Sequence, residues 1–437
     1  MEKKEYLLVL AQTHEQFRIP ELQSLATMEG IDVNFSNHRA DTPFMIVKLN
    51  NDDEAKRLVQ RSILCRGIYE LWGYGTDVDS LHADVKSRSA QLWDLYKESS
   101  FKFDFYSYQG SKTKSEQIAL INSFSYLGFQ GPIRMKNAEQ IFAILEDYDV
   151  IDREPKEHPE NMWFGRFISD THRSYVDKYD LKKRKYIGTT SFEAELSLVT
   201  CNMGMVGPGK IMYDPFVGTG SFLVAGGHFG ALTVGSDLDA RAVRGKGKNN
   251  IDANFAQYRI TNKLLDVMAV DFTHNSFRKD LKLDSIVCDP PYGIREGLKV
   301  LGTKNPARFE GKEKIVIDGE LAHLRKDYIA SKKPYELASL LDDLLQFSAD
   351  HLVSGGRLCF WMPTANDDFQ PNHIPLHPDL ELISECVQVF NKWSRRLLTY
   401  SKRYESDERG QKQSGQSNEE FRDKYFRGFS TKPQESI

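Results

Sequence analysis

Four apolar runs in the second half of this 437-residue chain each stop at an aspartate. Lys210-Ile211-Met212-Tyr213 runs into Asp214, and Ala231 to Ser236 runs into Asp237. Asp266 to Val270 ends at Asp271, and Asp284 to Cys288 ends at Asp289. Short apolar runs with helix-forming stretches between them are the pattern of a parallel sheet in an α/β fold. In such sheets ligands bind outside the carboxyl ends of the strands. One aspartate at a strand end is ordinary, because Asp caps helices. At four successive strand ends the carboxylates gather on one sheet edge and describe a ligand.

The first of these runs continues through Asp214-Pro215-Phe216-Val217-Gly218-Thr219-Gly220-Ser221 into a helix that begins near Phe222. Gly218 and Gly220 permit backbone conformations and close ligand approach that a Cβ would obstruct. The spacing is not the dinucleotide Gly-x-Gly-x-x-Gly fingerprint, and no Gly-Lys-Ser/Thr follows. Asp214 would repel a pyrophosphate but accepts hydrogen bonds from an ammonium group. Asp237, followed by Leu238, stands about twenty residues on, where a carboxylate accepts from both ribose hydroxyls. Asp271 and Phe272 offer an acceptor and a ring face to an adenine. An amino-acid end, a ribose and an adenine together describe S-adenosylmethionine.

Asp289-Pro290-Pro291-Tyr292 ends the fourth run. Two prolines cannot continue a ladder, since neither has an N–H and both fix φ. The strand therefore stops and presents a carboxylate, the Pro290 carbonyl and an aromatic ring. Two acceptors aimed at one point suit a planar –NH₂ group, and Tyr292 offers a face for a flat base to stack on. Such a site holds an exocyclic amine and steers its lone pair at a methyl donor by positioning and electrostatics. Guanine and adenine fit this description alike. A plain turn is the simpler reading of the four residues taken alone.

Longer matches narrow the choice. Arg184 to Ser197 (RKYIGTTSFEAELS), Asp214 to Gly220, Gly235-Ser236-Asp237-Leu238-Asp239, Asp289 to Glu296 (DPPYGIRE) and Ser394 to Leu398 resemble the catalytic subunits of the tRNA guanine-10 N2-methyltransferase family. These are THUMP-domain, class I S-adenosylmethionine-dependent enzymes. The resemblance spans nearly all of the chain except its tail. It implies a Rossmann-like methyltransferase domain over 185–404, preceded by an α+β region containing a THUMP domain that holds RNA. It implies transfer of a methyl group to the N2 amine of a guanosine in tRNA. Catalysis falls to Asp289, Pro290 and Tyr292. Cofactor binding falls to Asp214, Phe216, Gly218, Gly220, Asp237, Leu238, Asp271 and Phe272, with Thr189 and Thr190 beside the methionine end. The family also works with a small zinc-binding activator protein. The apolar run Leu264 to Val270, at the edge of this fold's sheet, is where such a partner would dock, since exposed edge strands promote aggregation. DNA amino-methyltransferases share the four-residue motif, but no DNA-recognition module is apparent. A scaffold without activity is opposed by the intact aspartates and glycines.

The N-terminal third reads as an α+β (ferredoxin-like) domain over 1–75 and a THUMP-like domain over 76–160, parted by the polar stretch Gly75 to Lys86. A linker helix and basic segment over 161–184 follow. The net charge of −4 does not announce a nucleic-acid partner. Only the docking face need be basic, and Lys183, Arg184, Lys185, Arg295, Arg395 and Arg396 are the candidates to meet RNA phosphates. The five scattered cysteines form no Cys-x-x-Cys pair, so no metal site is expected in this chain, and the expected compartment is reducing, the cytoplasm. The polar stretch 405–437 reads as a disordered tail.

Overall fold

The computed structural model describes residues 3–151, 154–189, 191–293, 298–303, 315–325, 328, 330–415 and 425. The chain divides into two compact units, Met1–Tyr175 and Val176–Ile437.

In the first unit, β1 (Lys4–Leu10) is followed by helix α1 (Glu15–Glu29), β2 (Phe44–Leu49), α2 (Asp52–Val59) and β3 (Cys65–Gly75). Then come α3 (Val78–Ser89), β4 (Phe101–Tyr108), α4 (Lys114–Asn122), β5 (Gln140–Asp147) and β6 (Asn161–Ser169). Asp77 and Ser80 cap the start of α3 reciprocally, as Thr113 and Glu116 do for α4.

All six strands share one sheet, in the order β2-β1-β3-β6-β5-β4. The boundaries expected at residues 75 and 161 therefore fall inside a single folded unit. Strand β6, expected as a linker, pairs with β3 on one side and β5 on the other. Its basic residue misled that reading. Arg166 is buried, donates from Nε to Glu70 Oε2 at 3.0 Å and lies over the Tyr96 ring. The polar stretch expected as a boundary is helix α3, which buries only Leu81 and Val85 deeply beside Trp72. No long helix runs through Tyr179; residues 172–183 form three short helical turns.

The second unit contains α5 (Ala194–Met203), β7 (Ile211–Asp214), α6 (Ser221–His228), β8 (Leu232–Asp237), α7 (Ile251–Tyr258), β9 (Leu264–Ala269) and β10 (Leu283–Cys288). It continues with α8 (Leu337–His351), β11 (Leu352–Ala365), β12 (Leu380–Val389) and β13 (Trp393–Lys402). The sheet order is β9-β8-β7-β10-β11-β13-β12, with β13 antiparallel to both its neighbours and the first five strands parallel. The chain winds outward from β7 to β9, then returns to start again at β10. The point of reversal thus lies between β7 and β10, where doubly wound sheets open a crevice.

Helix α8 presents Leu337, Leu340, Leu341, Leu344 and Leu345 at helical spacing, and these pack on Ile286, Leu358 and Phe360 of the sheet. The start of the expected disordered tail is folded. Gln413 exchanges backbone hydrogen bonds with Leu376, and Ser414 Oγ donates to Asp342 Oδ2 at 2.8 Å. Most of the remainder, 416–424 and 426–437, lies outside the described residues. Among the described residues, no helix is long and apolar enough to cross a membrane.

Candidate active site

Each of β7, β8 and β10 runs directly into its aspartate, so the sheet delivers Asp214, Asp237 and Asp289 to one edge. They line a single cavity of about 550 Å³ together with Phe216, Gly218, Leu238, Asp271, Phe272, Pro290 and Tyr292. That volume lies in the range of small-molecule sites.

The glycine loop is built by local backbone demands. Gly218 and Gly220 have φ of 49° and 81°, in the left-handed region where a side chain is strained. This turns the Gly218 N–H toward Asp237, whose Oδ2 accepts it at 2.9 Å while Oδ1 accepts from Asp239 N at 2.8 Å. Gly235 on β8 lets the loop close: a Cβ there would sit 2.7 Å from Val217 Cγ2 and 2.8 Å from Leu223 Cδ1.

Asp214 is 1% exposed, and its Oδ1 accepts from Phe216 N at 3.0 Å. Burial pushes its carboxyl well above the usual carboxylate range, and the charges of Asp237 and Asp289 push the same way. Burial also raises Asp237, against the opposing charge of Lys332. Buried carboxylates crowded in one cavity call for a cation, and the ammonium and sulfonium of S-adenosylmethionine supply positive charge. The donor set therefore fits that cofactor.

At the end of β10, Asp289 is partly buried and its carboxyl is pushed up to about 6, chiefly by burial. The Tyr292 hydroxyl donates to Asp289 Oδ1, a contact the sequence did not suggest. Asp271 is more engaged than expected. Its Oδ1 accepts from Thr273 N at 2.9 Å and its Oδ2 from Leu301 N at 2.6 Å. Phe272 is a core residue, packed edge-on against Phe216 and Phe347.

Comparison with known proteins agrees with this geometry. Residues 4–173 match the family model described as the Tmrp11 THUMP N-terminal domain, and residues 182–303 match that of the RMKL-like methyltransferase domain. The chain is 53% identical over 434 residues to the tRNA (guanine(10)-N(2))-methyltransferase of Saccharomyces cerevisiae, covering 98% of this chain and 100% of that one. The Schizosaccharomyces pombe enzyme of the same name is 38% identical over 433 residues, with 91% and 89% covered. The human tRNA (guanine(10)-N(2))-methyltransferase TRMT11 is 35% identical over 451 residues, with 97% and 96% covered. The chain belongs to the tRNA (guanine(10)-N(2))-methyltransferase family. It is a class I methyltransferase whose cofactor is S-adenosylmethionine.

Within that family's fold, several residues expected to meet RNA are turned inward. Arg184 is buried and donates from Nη1 to Ser221 Oγ at 2.8 Å. Arg396 lies over the Phe369 ring, donates to Thr364 Oγ1 at 3.1 Å and pairs with Glu385. Arg395 is enclosed by Phe192, Trp361 and Phe390. Long basic side chains with aromatic and carboxylate neighbours on their own sheet satisfy their charge there. Lys183 and Lys185 are exposed, whereas Arg295 lies outside the described residues. Thr189 is exposed and does not line the cavity, and Thr190 lies outside the described residues. Their place is taken by Ser191, whose hydroxyl shares a 2.6 Å hydrogen bond with Thr219 Oγ1 on the cavity wall. Two hydroxyls one loop apart gave no sequence signal. Lys332, Tyr335 and Trp393 also line the cavity and were equally silent, since each comes from a distant segment.

Proposed function

We propose that this chain is the catalytic subunit that transfers a methyl group from S-adenosylmethionine to the exocyclic N2 amine of guanosine 10 in tRNA. One observation carries the reading: the Asp289–Tyr292 turn shares a cavity with Asp214, the glycine loop and Asp237. Asp214, Gly218 and Asp237 would hold the cofactor, with Phe216, Leu238 and Phe272 against its apolar parts. When bound, it supplies an electrophilic methyl carbon.

The chain's own residues do the rest. A guanine N2 lone pair is delocalised into the ring and is a poor nucleophile. Asp289 and the Pro290 carbonyl accept from the amine, which localises the lone pair and fixes its direction. The base must leave its stack to enter, at a cost of a few kcal/mol. Stacking on Tyr292 offsets about 1–3 kcal/mol of that. Tyr292 must then release Asp289 Oδ1 to the incoming amine. Asp289 is also placed to take the proton that the amine sheds. Exposed Lys183 and Lys185 are available for phosphate contact.

A partner completes the reading. Strand β9 lies at the sheet edge, paired only with β8 among the described residues, and Leu265 on it is 52% exposed. We place the small zinc-binding activator there. All five cysteines are free and buried, which suits a reducing compartment such as the cytoplasm.

The test is methyl transfer from labelled S-adenosylmethionine to unmodified tRNA, with and without the co-expressed activator, followed by nucleoside analysis. Label in N2-methylguanosine supports the reading. Label in adenosine would keep the cofactor site and overturn the substrate.

A further inference from the structure

Arg395 was expected on the RNA-facing surface and is instead built into the wall behind the reacting carboxylate. It sits on β13, opposite Pro363 of β11 and Gln388 of β12. Its guanidinium lies 4.5 Å from the centre of the Phe192 ring, 5.1 Å from Trp361 and 5.6 Å from Phe390. Nε donates to Gln388 Oε1 at 2.9 Å, and Nη2 donates to Glu193 Oε1 at 3.1 Å. The side chain is 16% exposed. Stacking and hydrogen bonding on several sides fix the planar fork in one orientation.

From that fixed position Arg395 reaches the active turn. It hydrogen-bonds the Tyr292 hydroxyl, and its charge acts on Asp289. The Tyr292 hydroxyl in turn donates to Asp289 Oδ1. The charged and titratable groups around Asp289 are thus Tyr292 from its own turn, Arg395 from β13 and Asp214 from β7. Arg395 is the cation of that set, and Glu193 and Gln388 stand behind it.

We propose that Arg395 is a positioning residue for methyl transfer: clamped by Phe192, Trp361, Gln388 and Glu193, it holds the Tyr292 hydroxyl and so sets how Tyr292 and Asp289 meet the substrate amine. This rests on the reaction proposed above. A flexible ammonium cannot replace the fork, because a lysine lacks the planar donor set that satisfies Gln388, Glu193 and Tyr292 together.

The test is a double-mutant cycle on the full chain with its activator. Wild type, Arg395→Lys, Tyr292→Phe and the double variant are compared in single-turnover transfer to unmodified tRNA at saturating S-adenosylmethionine. Arg395→Lys is expected to slow transfer by roughly ten- to a hundredfold, the scale of a misplaced reacting group, with cofactor affinity unchanged. The double variant is expected to be no slower than Tyr292→Phe alone, because Arg395 acts through that hydroxyl. Arg395→Leu is expected to move the acid limb of the rate profile to higher pH, since the removed charge favours the Asp289 carboxylate. Gln388→Leu keeps the guanidinium and loosens its clamp, so it gives a smaller loss in the same direction even if Arg395 variants melt early. Wild-type rates in Arg395→Lys and Gln388→Leu, or losses that multiply in the double variant, would overturn the proposal. Wild type that does not methylate guanosine N2 would instead overturn the underlying reaction, and the proposal with it.

Discussion

Asp289 carries the most specific expectations. Its carboxyl is pushed up to about 6 by burial, against the Tyr292 hydroxyl and the Arg395 charge. The acceptor form is the carboxylate, so transfer should be full above that pH and fall as the pH drops through about 6. A rate profile between pH 5 and 8 checks this, and a flat profile would remove Asp289 from the rate-limiting step. Asp289→Ala should abolish transfer while calorimetry finds cofactor affinity nearly unchanged, because Asp214 and Asp237 remain. At this scale the sequence was most legible where chemistry and backbone coincide. Asp214, Gly218 and Asp237 each cap or turn a strand end, and all line the cavity. It was least legible for arginines. A basic pair on a strand reads as an RNA contact, but Arg395 and Arg396 find aromatic faces and acceptors only when β11 and β12 fold against β13.

Among the elements, β8 and the glycine loop are packed without slack. Gly235→Ala would push Val217 off β8, a cost of about 1–3 kcal/mol. It should therefore lower the melting temperature and weaken S-adenosylmethionine binding together, since Val217 adjoins the Gly218 N–H that meets Asp237. An unchanged affinity would separate loop position from cofactor binding. The edge strand β9 gives a second test. Leu265→Lys should reduce co-purification of the activator while leaving the fold intact, as Leu265 already faces solvent. Undiminished capture would move the docking site elsewhere. The parallel strands were legible as apolar runs because they lie inside the sheet. The hairpin of β12 and β13 was not, because β12 alternates exposed and buried residues and β13 carries its two arginines mid-strand.

At the scale of the molecule, two units with separate cores divide the work. The first unit matches a THUMP N-terminal domain and the second holds the cavity. Its unity was hidden in the sequence because the strand that closes the sheet, β6, arrives last and enters between β3 and β5. Long-range pairing of that kind leaves no local pattern to read. The central claim is that the methyl group goes to the exocyclic amine of guanosine 10. Inosine differs from guanosine by the absence of that amine alone. The decisive measurement is label transfer from S-adenosylmethionine to two otherwise identical unmodified tRNAs, one with guanosine and one with inosine at position 10. Transfer to the guanosine tRNA and none to the inosine tRNA is the expected result; equal label in both would contradict the account.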